Sequence, residues 1–299
     1  MVIETLNLTK QFNKKGGFKD ISLSVNEGEV FGFLGKNGAG KSTFIRTLMG
    51  IIHKESGEGQ LLGKPLGDIS AREKIGYLPE LFQYQPWISG YELLYYHGKL
   101  YKMNKAEIKV RIEEVIEEIG IKGHEHKHIK EYSKGMKQRI GLGCAIMNRP
   151  KILFLDEPTS ALDPIGRRHV REIIGKLRKD GTTVFLNTHL LSEVEMLADR
   201  IAIIDRGDMK KVGRLHDILY SPVIVGLQGF DLKLEEFLNS NKYKFSYKNQ
   251  SLEIEEKEEN IPILIEGLVN NGAKIFSVGK KENLLEKLFL DIVGEEDSR

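Results

Sequence analysis

The chain has 299 residues, 40% hydrophobic and 29% charged, which suits a sizeable core under a solvated surface and one large domain plus a smaller one. Its 45 Lys and Arg against 43 Asp and Glu leave a net charge of +2, so no whole-chain field draws it to nucleic acid. The single cysteine, Cys144, excludes an intrachain disulfide and fits a reducing compartment.

The N-terminus, Met-Val-Ile-Glu-Thr-Leu, carries neither the basic nor the apolar segment of a secretion signal. No apolar stretch approaches the ~20 residues that cross a bilayer. We therefore expect a cytoplasmic protein whose membrane connection runs through a partner chain. Residues 2–6 and 21–25 alternate between apolar and polar, as strands of an antiparallel sheet with one wet face do.

The next apolar run, Val30-Phe31-Gly32-Phe33-Leu34, leads into Gly35-Lys36-Asn37-Gly38-Ala39-Gly40-Lys41-Ser42 and a helix expected from Lys41 to about Met49. Strand, glycine-rich loop and helix in that order form a phosphate-binding loop. Its backbone N–H groups point at phosphate oxygens, Lys41 reaches the β- and γ-phosphates, and the Ser42 hydroxyl suits Mg²⁺. We count this whole run, with Thr43 after it, as nucleotide-binding. The helix N-terminus adds its positive dipole end.

Further along, Ser89 caps a helix to about Tyr101, and Asn104 caps another to Ile119, stopped by Gly120. A third helix is expected from about Lys134 to Asn148, and Asp163-Pro164 opens a fourth that closes near Gly181. Cys144, in Gly-Leu-Gly-Cys-Ala-Ile-Met, reads as a small buried residue and not a nucleophile. The runs 152–156, 183–187 and 201–204 are continuously apolar, as central parallel strands are. Ser192 and Glu195 have capping-box spacing. Beyond about residue 220 the pattern reads strand 223–228, helix 231–240, strands 243–247 and 251–255, helix 260–271, strand 274–278 and a last helix 282–293. That order suggests a small split-βαβ domain.

The strand Ile152-Leu153-Phe154-Leu155 delivers two carboxylates, Asp156 and Glu157, to its C-terminal end, where ligands of open α/β sheets collect. Asp156 suits Mg²⁺, and Glu157 is placed to polarise a water toward the γ-phosphate. These motifs, with Tyr132-Ser133-Lys134-Gly135-Met136-Lys137-Gln138-Arg139, Ser160-Ala161-Leu162-Asp163 and Thr188-His189, resemble the ATP-binding cassette (ABC) ATPases in order and spacing over about 1–220.

The resemblance implies an α/β cassette: a parallel-sheet core, an antiparallel β subdomain and a helical subdomain at about 85–150. A C-terminal α+β ferredoxin-like domain would then occupy 221–299. By resemblance, Ser133 and Gly135 form the signature segment that faces the γ-phosphate of a second subunit. Asp163 sits in the loop crossing between subunits, His189 is the switch histidine, and Phe12 stacks on adenine. The signature departs from the family's usual Leu-Ser-Gly-Gly-Gln. Glu80, in Tyr77-Leu78-Pro79-Glu80, stands where the family places a glutamine; it keeps an oxygen ligand and adds negative charge, and we expect it to ligate or bridge to the metal with Ser42 and Asp156.

His124, His126 and His128 alternate, as zinc ligands on a strand could, but their loop setting argues for a solvated segment. Tyr91, Tyr95, Tyr96 and Trp87 read as helix packing, part of which would be interface in a helical insert that docks a permease.

One phosphate loop and one signature per chain imply a homodimer, or a pseudo-symmetric dimer with a related ATPase, closed around two ATP molecules. The leading expectation is the ATPase subunit of an exporter, peripheral on the cytoplasmic face of the membrane through an integral membrane permease. The alternatives are a soluble ABC ATPase acting on ribosomes or nucleic acid, which usually carries two cassettes or long coiled coils, and a small-molecule kinase, which gives no reason for a signature.

Overall fold

The computed structural model describes residues 1–12, 16–160, 162–219, 222–256, 258–280 and 284–294. The described chain divides into two compact units, one of Met1–Leu215 with the residues from Ile292 on, the other His216–Asp291. The boundary expected at 220/221 falls on residues outside those described.

The first unit opens with β1 (Ile3–Gln11) and β2 (Gly17–Val25), antiparallel to each other. Ile3, Leu8, Ile21, Leu23 and Val25 point into the core while Glu4, Leu6 and Ser22 face solvent, which is the alternation read above. Next come β3 (Val30–Leu34), α1 (Lys41–Leu48), β4 (Ser56–Leu61), β5 (Lys64–Pro65), α2 (Ile69–Arg72) and β6 (Ile75–Leu78). The first of the two sheets runs β2-β1-β4-β5. Nothing in Ser-Gly-Glu-Gly-Gln-Leu favours a strand; β4 forms because β1 offers it a free edge, pairing Ile3 with Leu61.

Three helices follow: α3 (Gly90–Leu100), α4 (Lys105–Glu118) and α5 (Lys134–Ile146). Ser89 with Glu92 and Asn104 with Glu107 complete capping boxes, each cap contributing about 1 kcal/mol. The helix α5 stops at Ile146, short of the expected Asn148. Its terminal carbonyls go instead to the buried guanidinium of Arg111 on α4, which donates to Ile146 O at 2.8 Å and Met147 O at 3.2 Å.

The chain then alternates through β7 (Ile152–Asp156), α6 (Pro164–Lys179), β8 (Thr183–Asn187), α7 (Leu191–Leu197), β9 (Arg200–Asp205), β10 (Asp208–Arg214) and α8 (Leu215–Ile218). The second sheet has the order β10-β9-β3-β8-β7-β6, parallel except for the edge strand β10. Every residue of β3, β7 and β8 is buried, hence their unbroken apolar runs. Ser192 does not cap α7: the helix begins two residues earlier, with Leu190 at the N-cap position and its N–H donated to Thr188 Oγ1 at 3.1 Å.

A layer of aromatic rings joins this sheet to α1. Phe33 stacks on Phe44 at 5.1 Å between centroids, and Phe31 on Phe185 at 5.5 Å. Each such ring, fully buried, contributes on the order of 1.5–3 kcal/mol. Phe33 and Phe44 flank the loop between β3 and α1, so their stacking ties its two ends together.

The second unit contains β11 (Val223–Gln228), α9 (Leu232–Ser240), β12 (Phe245–Lys248), β13 (Ser251–Ile254), α10 (Ile261–Asn270) and β14 (Lys274–Lys280), with α11 (Leu284–Gly294) closing the described chain. Its sheet runs β12-β13-β11-β14, all antiparallel. This is a split-βαβ topology, with Val225, Leu234, Leu238, Leu252 and Leu264 in its own core. The start expected for the last helix, residue 282, lies outside the described residues. Of its apolar stripe Leu285 is buried, and Leu288, Phe289 and Ile292 are half-buried.

Candidate functional site

Parallel strands that share one direction bring their C-terminal ends to one rim. Here β3 ends at the glycine-rich loop, β7 at Asp156 and β8 at Asn187, with β6 leading to Glu80. The rim encloses a cleft of about 490 Å³.

Two glycines make the loop possible. Gly40 has φ 100°, and a Cβ there would stand 2.1 Å from the Gly17 carbonyl oxygen. A Cβ on Gly35 would meet Ile204 O at 2.3 Å. Only hydrogen fits at either position. Among the described residues α1 has no side-chain cap. Its first N–H groups are thus left for an anion, with the helix dipole behind them.

Lys41 is buried beneath the loop and its ammonium donates to Gly35 O at 2.7 Å and Lys36 O at 3.0 Å. Burial holds its pKa below the ordinary lysine value, against the opposing pull of Glu157, Asp156 and Glu80. A desolvated ammonium beside the uncapped N-terminus of α1 is well suited to phosphate.

Asp156 is fully buried. Its Oδ1 accepts from Ser42 Oγ at 3.2 Å and from the Asn187 amide, while Oδ2 has no partner among the described residues. An orphaned carboxylate oxygen beside a serine hydroxyl is an oxygen-only donor set that fits Mg²⁺. Among the described residues no group of three or more His, Cys, Asp or Glu forms a metal site. Mg²⁺ commonly takes one or two protein ligands and completes its shell with water and substrate phosphates.

Glu157 is also buried and has φ 53°, a left-handed conformation that costs on the order of 1–3 kcal/mol for a side chain of this kind. Its own N–H donates to Asn187 O at 2.8 Å, which holds the turn. The carboxylate accepts from the His189 N–H at 2.9 Å and from Thr188 Oγ1 at 3.4 Å, and lies 2.8 Å from His189 Nδ1.

The structure therefore brings Lys41, Ser42, Asp156 and Glu157 together around the cleft, with Asn37, Gly38, Gly40, Thr43 and Glu80 on its lining. Phe12, 44% exposed, stands at the mouth with Lys10 Nζ 5.1 Å from its ring centroid. Ala39 turns inward to the core instead, and Lys36, an exposed residue, donates from its ammonium to Val293 O at 3.0 Å.

Three expected residues lie elsewhere. Ser133 is the exposed N-cap of α5, accepting from Met136 N at 3.2 Å, and Asp163 is the exposed N-cap of α6, accepting from Gly166 N at 2.7 Å. Gly135, on α5, is joined to the second of these helix starts through Leu162, whose Cδ2 would lie 3.6 Å from a Cβ on Gly135. Among the described residues none of the three borders the cleft.

Cys144 is buried, and burial pushes its thiol up to about 12, so it stays protonated and inert. His126 stacks on Tyr91 with centroids 5.4 Å apart and is not gathered with its neighbours. Tyr91 and Tyr95 pack against the core, whereas Tyr96 and Trp87 stay exposed. Asn187 escaped the sequence reading. Its signal is sheet order: only the parallel register of β7 with β8 sets Asn187 beside Asp156.

A buried lysine in a glycine-lined anion loop, facing a strand-end carboxylate pair, defines a nucleoside-triphosphate hydrolase of the phosphate-loop class. Residues 18–160 match the family model described as ABC transporter. An uncharacterized ABC transporter ATP-binding protein of Synechocystis, sll0415, is 36% identical over 97% of this chain and 84% of its own length. The linearmycin resistance ATP-binding protein LnrL of Bacillus subtilis is 33% identical over 98% of each chain. Among solved structures, the ATP-binding cassette MJ0796, a dimer in a post-hydrolysis state bound to ADP and phosphate, superposes with a TM-score of 0.64 at 25% identity, covering 71% of this chain and 98% of its own. The chain belongs to the ABC transporter ATP-binding proteins. It binds a nucleotide and hydrolyses ATP.

Proposed function

We propose that this chain is the energising subunit of an exporter, working as a dimer that closes around two ATP molecules and opens after hydrolysis. The observation that carries the dimer is the separation just described. Ser133 and Asp163 are exposed at helix starts, Gly135 is half-buried, and none of the three lines the cleft, while Ser133 and Gly135 open a helix whose positive end suits an anion. In this reading they serve the nucleotide of a second copy or of a related ATPase.

Within one copy, the loop N–H groups and Lys41 neutralise the β- and γ-phosphates. Phe12 offers its ring to adenine. Ser42 and Asp156 would hold Mg²⁺, with Glu80 at the edge of the same cleft, and the ion when bound would offset charge on the phosphate oxygens. Glu157 takes a proton from the attacking water as the γ-phosphate bond breaks, giving ADP and inorganic phosphate, and His189 keeps the Glu157 carboxylate aimed. We place the division between the cassette and the C-terminal domain at about 220.

Export is supported by the resistance named for LnrL. Among the described residues no helix is long and apolar enough to cross a membrane. The translocation path would thus belong to a separate permease, and this chain would sit on the cytoplasmic face through it. The test is Glu157→Gln, measured by size-exclusion with light scattering. Reading and mechanism together require an ATP-stabilised dimer with little turnover; a monomer with ordinary turnover overturns them.

A further inference from the structure

Asn187 does two things in this site, and both concern the carboxylate beside it. Its main-chain carbonyl accepts the Glu157 N–H, fixing the turn after β7. Its side chain, 1% exposed, donates through Nδ2 to Asp156 Oδ1. A carboxylate only accepts, so the amide must present its NH₂ to Asp156 and turn its Oδ1 the other way. That Oδ1 has no partner among the described residues, and Asn187 borders the cleft. Asp156 Oδ2 is likewise unpartnered and buried at the same cleft.

Buried acceptors are rarely left unpaired. Two of them, on adjacent strands and at one rim, ask for donors or a cation. With Oδ1 of Asp156 taken by Ser42 and Asn187, its rotation is restricted and Oδ2 is the oxygen left without a partner among the described residues. Resting on the proposed function above, we infer that Asn187 is a positioning residue of the cation site. Its Nδ2 holds Asp156 Oδ1, leaving Oδ2 as the carboxylate oxygen for the ion. Groups that orient a metal ligand in this way are worth 10- to 100-fold in metal affinity as an order of magnitude, about as much as many ligands.

The experiment measures ADP affinity of the full chain by calorimetry twice, in EDTA and with Mn²⁺, alongside Mn²⁺ spin resonance of the bound complex. For Asn187→Ala we expect affinity in EDTA within about twofold of wild type, since the phosphate loop is untouched. The gain conferred by Mn²⁺ should fall by about 10- to 100-fold, with an altered resonance line. Asn187→Ser, milder in volume and still able to donate, should lose less, and it carries the test should the alanine variant fail to fold. A folded variant that keeps the full Mn²⁺ gain overturns the inference, as does equal loss with and without the metal, which marks a purely structural role. A wild-type chain that binds ADP in neither condition overturns the proposed function itself, and this inference with it.

Discussion

His189 grips Glu157 from two directions: its backbone N–H donates to Oε1 at 2.9 Å, and its ring Nδ1 lies 2.8 Å from Oε2. The loop after β8 thereby aims the carboxylate at the end of β7. His189→Ala removes the ring contact and leaves the backbone one. A general base that loses its alignment forfeits part of a 10²–10⁴-fold contribution as an order of magnitude. We expect kcat to fall by about 100-fold with KM for ATP within a few-fold, measured by steady-state phosphate release.

Lys41→Ala removes the buried ammonium from the loop. A hydrogen bond to a charged group contributes about 1.5–3 kcal/mol, so ATP affinity should drop at least tenfold in equilibrium titration. The pH dependence has a definite sign. Burial lowers the Lys41 pKa in the folded chain, so the positive charge is lost at a lower pH than for a free lysine. ATP affinity should decline on the alkaline side before the ordinary lysine value of 10.5 is reached. Folding stability contributed by this group moves the other way: between the lowered value and 10.5 the unfolded chain binds more protons, so stability rises with pH there.

Gly40→Ala should fail at the loop. A methyl group would sit 2.1 Å from Gly17 O on a backbone with φ 100°. The strain alone is about 1–3 kcal/mol, and the loop must open to relieve it. Loss of nucleotide binding, with a lower melting temperature in the nucleotide-free protein, is the expected pair of readings in calorimetry.

Arg111→Ala tests the helical part of the first unit. The residue is 4% exposed, caps the end of α5 and pairs with Glu114 at 2.9 Å. The Glu114 side chain is 39% exposed, so the main loss is at the two carbonyls that Arg111 caps, where an unsatisfied buried acceptor costs about 1–3 kcal/mol. A urea midpoint shifted down by that equivalent, and not restored by Arg111→Lys, would confirm that the planar fork of donors is what α5 requires.

The local chemistry of the site was legible because it is carried by contiguous residues. Gly35 to Ser42 announces an anion loop whatever surrounds it, and Asp156-Glu157 follows an apolar run that can only be a buried strand. Helix starts were equally plain, since Ser89, Asn104 and Asp163 cap through bonds to residues three positions on. The strand β4 and the N-terminal register of α7 were not, because a strand edge and a neighbouring threonine decide them.

The amino-acid order by itself determined the capped helix starts, the buried central strands, the phosphate chemistry and the family resemblance, since these rest on bonds and periodicities spanning a few residues. The tertiary structure decided which distant segments share a rim. It put Asn187 beside Asp156 and His189 around Glu157, and left Ser133 and Asp163 off the lining of the cleft. Sheet order and register do this, and they are set by packing between residues far apart in the chain.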